Sequence, residues 1–121
     1  PGPTRIGNSP SPAMQRALEM DPIAPVYFEA IHAKVLWGTG QSAVALEQAE
    51  ACARRAPMFS DCRFVELLAY AERGELDRAR AQLDVLRHAQ FTRRRGCSSW
   101  GGSPAVVARC LELAATAELA E

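Results

Sequence analysis

The chain has 121 residues, 48% hydrophobic and 23% charged, with 14 basic and 14 acidic side chains. Net charge near zero removes the long-range attraction that a nucleic-acid or anionic-membrane binder exploits, and no apolar run reaches the roughly 18–20 residues of a membrane span. The opening PGPTRIGNSPSP lacks the apolar h-region of a signal peptide, so the chain reads as a soluble segment cut from something longer.

In chain order, residues 1–9 are expected to form a flexible lead. Ser11 then caps a helix with Pro12 at its first position, running to Met20 and stopped by Asp21-Pro22. A second helix is expected over 25–38. Gly38-Thr39-Gly40 turns the chain into a third over 42–55, which Pro57 closes. The next pair covers 60–72 and 76–89, joined through Arg73-Gly74-Glu75. Residues 90–102 form a basic, glycine-rich loop, and Ser103-Pro104 opens a capping helix that runs to Ala117. No stretch shows sustained β-branched alternation, so the fold class is all-α with about six helices.

Residues 26–52 and 60–86 align without gaps at an offset of 34, the period of a two-helix repeat. Ile31 falls over Val65, Leu36 over Tyr70, Gly40 over Gly74, Ala45 over Ala79 and Gln48 over Gln82. With Pro22 and Pro57 as closing residues, this punctuation resembles tetratricopeptide repeats. The resemblance implies antiparallel hairpins stacked as a short solenoid: a half repeat at 10–21, repeats at 23–57 and 58–89, and a cap at 103–121. The stretch from Met58 to Leu83, with Ser103-Pro104 through Arg109-Cys110-Leu111 after it, is also similar to the terminal repeats of bacterial adenylate cyclases and winged-helix regulators. A basic complement of thirteen Arg and one Lys agrees with a GC-rich bacterial source.

The resemblance implies a concave groove lined by the first helix of each repeat: Val26, Glu29, Ala33 and Trp37, with Phe64, Leu68 and Ala71. Such a groove would take an apolar or extended peptide, although Trp37 and Phe64 taken singly read as core. The Lys and Asn of the family's carboxylate clamp are absent, with Glu29 and Ala33 in their places. At positions that are normally large and apolar stand Glu29 and His32, then Arg63 and Glu66, each pair three apart on one helical face. Stacking at 34 would set Glu29 beside Arg63 and His32 beside Glu66, as a polar ladder between repeats or as a polar ligand site. Leu67 and Leu68 replace small or polar residues, implying looser packing or a rotated helix.

Cys52, Cys62, Cys97 and Cys110 contain no C-x-x-C pair, with only His32 and His88 as co-ligands, so no metal site is expected. They read as free thiols serving as small hydrophobes; Cys52 and Cys62 are the pair that would close in an oxidising compartment. Arg93, Arg94 and Arg95 near Trp100 read as a solvated loop with the indole covering the core, or as a phosphate or protein contact. No nucleophile accompanies His32 and Glu66, and Gly38-Thr39-Gly40 follows a helix, so neither enzyme activity nor a cofactor is expected.

The sequence therefore reads as a protein-interaction or self-associating module of a bacterial regulatory protein, with a peptide, a protein or a second copy as partner and no nucleic acid. The alternative is a small-molecule sensor using Glu29, His32, Arg63 and Glu66. The expected compartment is the cytoplasm, or the periplasm if the parent protein is anchored in a membrane.

Overall fold

A computed structural model describes Pro12 and residues 24–100 and 103–121; the lead at 1–9 and, apart from Pro12, the helix expected over 11–20 lie outside the described residues. Within these residues every regular element is helical: α1 (Ala24–Gly38), α2 (Ser42–Arg55), α3 (Ser60–Glu72), α4 (Leu76–Arg80), α5 (Leu83–His88), α6 (Arg93–Cys97), a 3₁₀ turn (Ser98–Trp100) and α7 (Pro104–Thr116). No helix is long and apolar enough to cross a membrane among the described residues.

The two hairpin turns repeat each other hydrogen bond for hydrogen bond. With Gly40 at φ +87°, the Gly40 N–H reaches the Trp37 carbonyl (3.1 Å) and the Gln41 N–H the Leu36 carbonyl (2.9 Å). With Gly74 at φ +78°, Gly74 reaches Ala71 (3.0 Å) and Glu75 reaches Tyr70 (2.9 Å), each partner 34 residues further on. A glycine in the left-handed region closes the last turn and satisfies carbonyls that the helix leaves open. Two later helix ends are built the same way without glycine: Gln90 (φ 55°) and Glu118 (φ 67°) precede the Phe91 N–H to Leu86 and Leu119 N–H to Ala114 bonds.

Helix α2 runs back along α1, since Arg55 at its end pairs with Glu29 and the Cys52 Sγ lies 3.7 Å from the Val26 carbonyl. Helix α3 runs back along α2. The Cys52–Cys62 disulfide ties them at one end, and the Ser42 hydroxyl donates to Glu72 Oε1 (2.5 Å) at the other. Ala45 and Ala79, both fully buried, leave room for close helix approach.

Helix α3 is the centre of the molecule. Every residue from Phe64 to Ala71 is buried, the state expected of a helix with partners on all sides. Leu67 and Leu68 are both 0% exposed and belong to the main core with Phe91, Cys110 and Ala114 of the C-terminal segment.

The single helix expected over 76–89 is broken at Ala81-Gln82. The Gln82 N–H bonds the Ala79 carbonyl three residues back (3.1 Å), while its side-chain amide takes the freed Arg78 carbonyl (3.0 Å). A side chain thus replaces the lost backbone donor.

Free thiols are the second correction. All four cysteines are paired, Cys52 with Cys62 and Cys97 with Cys110, and no free cysteine remains among the described residues. The second pair was not legible because its members fall in two elements, α6 and α7, that approach only in three dimensions. Part of the expected 90–102 loop is helical: Thr92 caps α6 by accepting the Arg95 N–H (3.2 Å), and the Arg93 N–H bonds the Ala120 carbonyl (2.9 Å).

Candidate functional site

Six of the seven expected groove residues do not line a groove. Val26, Ala33, Trp37, Phe64, Leu68 and Ala71 are all at most 8% exposed, and only Glu29 reaches the surface in part. The C-terminal segment covers Trp37 and Phe64, while Val26 packs with Ala30, Cys52 and Cys62. Phe91 packs on Phe64 with ring centroids 4.9 Å apart, Trp100 packs on Trp37 at 5.1 Å, and the Trp100 Nε1–H donates to the Lys34 carbonyl (3.2 Å). Arg109 on α7 pairs with Glu72 and sits over the Trp37 ring. Two glycines make this closure possible. A Cβ on Gly38 would meet Trp100 Nε1 at 2.4 Å, and one on Gly96 would meet Phe64 at 2.6 Å.

The polar ladder does not form as spaced. Glu29 pairs with Arg55 rather than Arg63, because the end of α2 lies directly against the start of α1. His32 is exposed. Arg63 and Glu66 do come together: Arg63 Nη1 lies 3.7 Å from Glu66 Oε1, and the guanidinium also donates to the Pro57 carbonyl (2.9 Å) and Gln82 Oε1 (3.0 Å). In the basic segment, Arg93 and Arg94 pair with Glu121, and Arg95 lies over the Phe91 ring. That disposition is an arginine set held by neighbours rather than one converging on a phosphate.

Two surface features bear most on function. The first is an apolar stripe on α1, where Tyr27, Phe28, Ile31 and Val35 are 40–53% exposed. It borders a cleft of about 620 Å³ whose walls include Tyr27, Ile31 and Val35 on α1 with Trp100 and Val106 opposite. The second is a polar pocket of about 330 Å³ on α2 and α3, lined by Glu50, Ala53, Arg54, Arg63 and Glu66. There burial pushes the Glu66 carboxyl up to about 7, against the opposing pull of Arg63. Burial and a hydrogen bond to Glu50 push the Tyr70 hydroxyl up to about 12.

Neither Glu50 nor Arg54 was singled out from the sequence. Both lie on α2, whose packing against α3 brings them to Arg63 and Glu66. Compared with protein-family models, with curated proteins and with solved structures, the chain matches none. No group of acidic, histidine or cysteine side chains suited to a metal ion occurs among the described residues.

Proposed function

We propose that this chain is a protein-interaction module of two tetratricopeptide-like hairpins, closed along its inner face by its own C-terminal segment and open at the outer face of α1. One observation carries the reading. Phe28, Ile31 and Val35 are 40%, 44% and 53% exposed, whereas Cys62, Val65 and Ala69, the residues 34 positions later, are 0%, 0% and 1% exposed. In the second hairpin these positions are covered by the preceding helix: Cys62 is bonded to Cys52, and Val65 and Ala69 share a core with Ala45, Leu46 and Ala49 of α2. The same surface on α1 is therefore suited to an amphipathic helix with small and apolar residues spaced as on α2. An apolar patch of this kind on a soluble surface marks an interaction site.

We take the partner to be a helix of another protein seated on Ile31 and Val35, a face for which the chain's own helix expected over 11–20 would compete, rather than an extended peptide in a concave groove. The test is a titration with a synthetic peptide of the α2 sequence, residues 42–55 with alanine at position 52. A saturable change in tryptophan emission is expected, since Trp100 walls the cleft, and Ile31→Glu with Val35→Glu should abolish it while leaving far-UV circular dichroism intact. Absence of binding, or equal binding to the double variant, would overturn the reading. Light scattering identifies the other occupant: concentration-dependent mass lost in the same variant would make it a second copy.

The two disulfides support the periplasmic option over the cytoplasmic one, because paired buried cysteines of this kind persist in oxidising surroundings and are rare in a reducing cytosol.

A further inference from the structure

The polar pocket on α2 and α3 lies apart from the α1 stripe and contains a buried carboxyl oxygen with no hydrogen-bond donor and, at its rim, a guanidinium with no hydrogen bond of its own. Glu66 is 5% exposed, and its Oε1 accepts no hydrogen bond. Its nearest cation, Arg63, is already held by the Pro57 carbonyl and the Gln82 side chain. At the rim of the same pocket Arg54 is exposed, and its side chain makes no hydrogen bond or ion pair among the described residues. Glu50 completes the lining, with its Oε2 accepting from the Tyr70 hydroxyl (2.5 Å) and so fixed in place.

A buried acceptor without a donor costs free energy, and a ligand that brings one recovers it. A simple anion would meet the carboxyls of Glu50 and Glu66, and a simple cation would meet the guanidiniums of Arg54 and Arg63. A molecule with both charges a few bonds apart satisfies each side. We propose that this pocket binds a small zwitterion of the free amino acid class, its ammonium group on Glu66 and Glu50 and its carboxylate on Arg54. The ammonium supplies the donors that Glu66 lacks, and the carboxylate supplies the anion that Arg54 lacks. The site combines Arg63 and Glu66, expected from the sequence, with two α2 residues that only the helix packing adds.

The experiment is a titration of the folded, disulfide-bonded chain with each of the twenty common α-amino acids, with methylammonium and acetate as half-ligands at matched ionic strength. Binding is read from backbone amide shifts and by calorimetry. At least one amino acid is expected to bind saturably with a Kd of about 1 mM or tighter, and each half-ligand about tenfold more weakly or less. Glu66→Gln preserves side-chain volume and Arg54→Ala removes only a rim group, so both should fold, as circular dichroism will check. Each should weaken binding by about tenfold, the loss of one charge-assisted hydrogen bond. No saturation by any amino acid at about ten times that concentration, half-ligands binding as well as the zwitterion, or binding indifferent to both variants would each overturn the proposal.

Discussion

The two hairpins share a turn, a period and a backbone hydrogen-bond pattern, yet they occupy different surroundings. In the second, α3 is enclosed by α2, by α4 and α5, and by the C-terminal segment, and eight consecutive residues from Phe64 to Ala71 are buried. In the first, α1 is covered on the side facing α2 and Trp100, while Tyr27, Phe28, Ile31 and Val35 remain exposed. The lesson is that one repeat pattern specifies a shape, while the neighbours decide whether a given apolar side chain is core or surface. Position 32 against position 66 shows the same for polar groups: His32 is exposed, whereas Glu66 is buried and its carboxyl is pushed up to about 7.

The strongest way to break the comparison is to loosen the segment that closes the second hairpin by cutting the cross-link within it. Cys97→Ala with Cys110→Ala removes a cross-link of sequence separation 13, and denaturant titration should show a loss of about 3 kcal/mol. An unchanged midpoint would mean that packing alone sets the shape of the segment.

Truncation at matched positions comes next. Val65→Ala should cost about 2 kcal/mol, from transfer and cavity terms together, while Ile31→Ala on the exposed stripe should stay within about 0.5 kcal/mol. Similar losses at both would mean that the α1 face is covered in solution.

The polar pair gives a pH test. Because the Glu66 carboxyl is raised from 4.5 to about 7 by burial, the folded chain binds the proton more tightly than the unfolded one. Its stability should therefore fall as pH rises from about 5 to 8, by on the order of 2 kcal/mol. Glu66→Gln should flatten that slope and raise stability at pH 8. A wild-type profile that stays level across this window would remove the assignment.

The smallest effect concerns the helix ends. Gln90 holds φ 55° where the hairpin turns use glycine, so Gln90→Gly should stabilise by about 1 kcal/mol, read as a rise in Tm. A fall in Tm would show that the Gln90 side chain matters more than its backbone strain.

Most of the helices were legible because their signals are local. Gly40 and Gly74 mark turns that require the left-handed region, Pro104 marks a helix start, and the small residues at 45 and 79 mark close approach. The break at Ala81-Gln82 was not legible, since it depends on a glutamine amide finding the Arg78 carbonyl and on Arg63 holding the same side chain. The expected groove failed for a related reason. Trp37 and Phe64 read singly as core and Trp100 as an indole covering the core, as the structure has them; what the loop-like segment does not show is that Phe91 joins Trp100 over the face where a groove was expected. Of the candidate polar site, Arg63 and Glu66 share one helix and could be paired by counting. Their companions Glu50 and Arg54 lie on α2 and could not.

The sequence by itself determined the helical class, the positions of the turns and the 34-residue correspondence between hairpins, because hydrophobic period, glycine and proline act within a few residues of the chain. Tertiary structure alone decided that the C-terminal segment covers Trp37 and Phe64, that Cys97 meets Cys110, and that an apolar stripe on α1 and a polar pocket on α2 and α3 remain open. Those outcomes depend on contacts between residues far apart in sequence, and a local period carries no information about which distant segment arrives to cover a face.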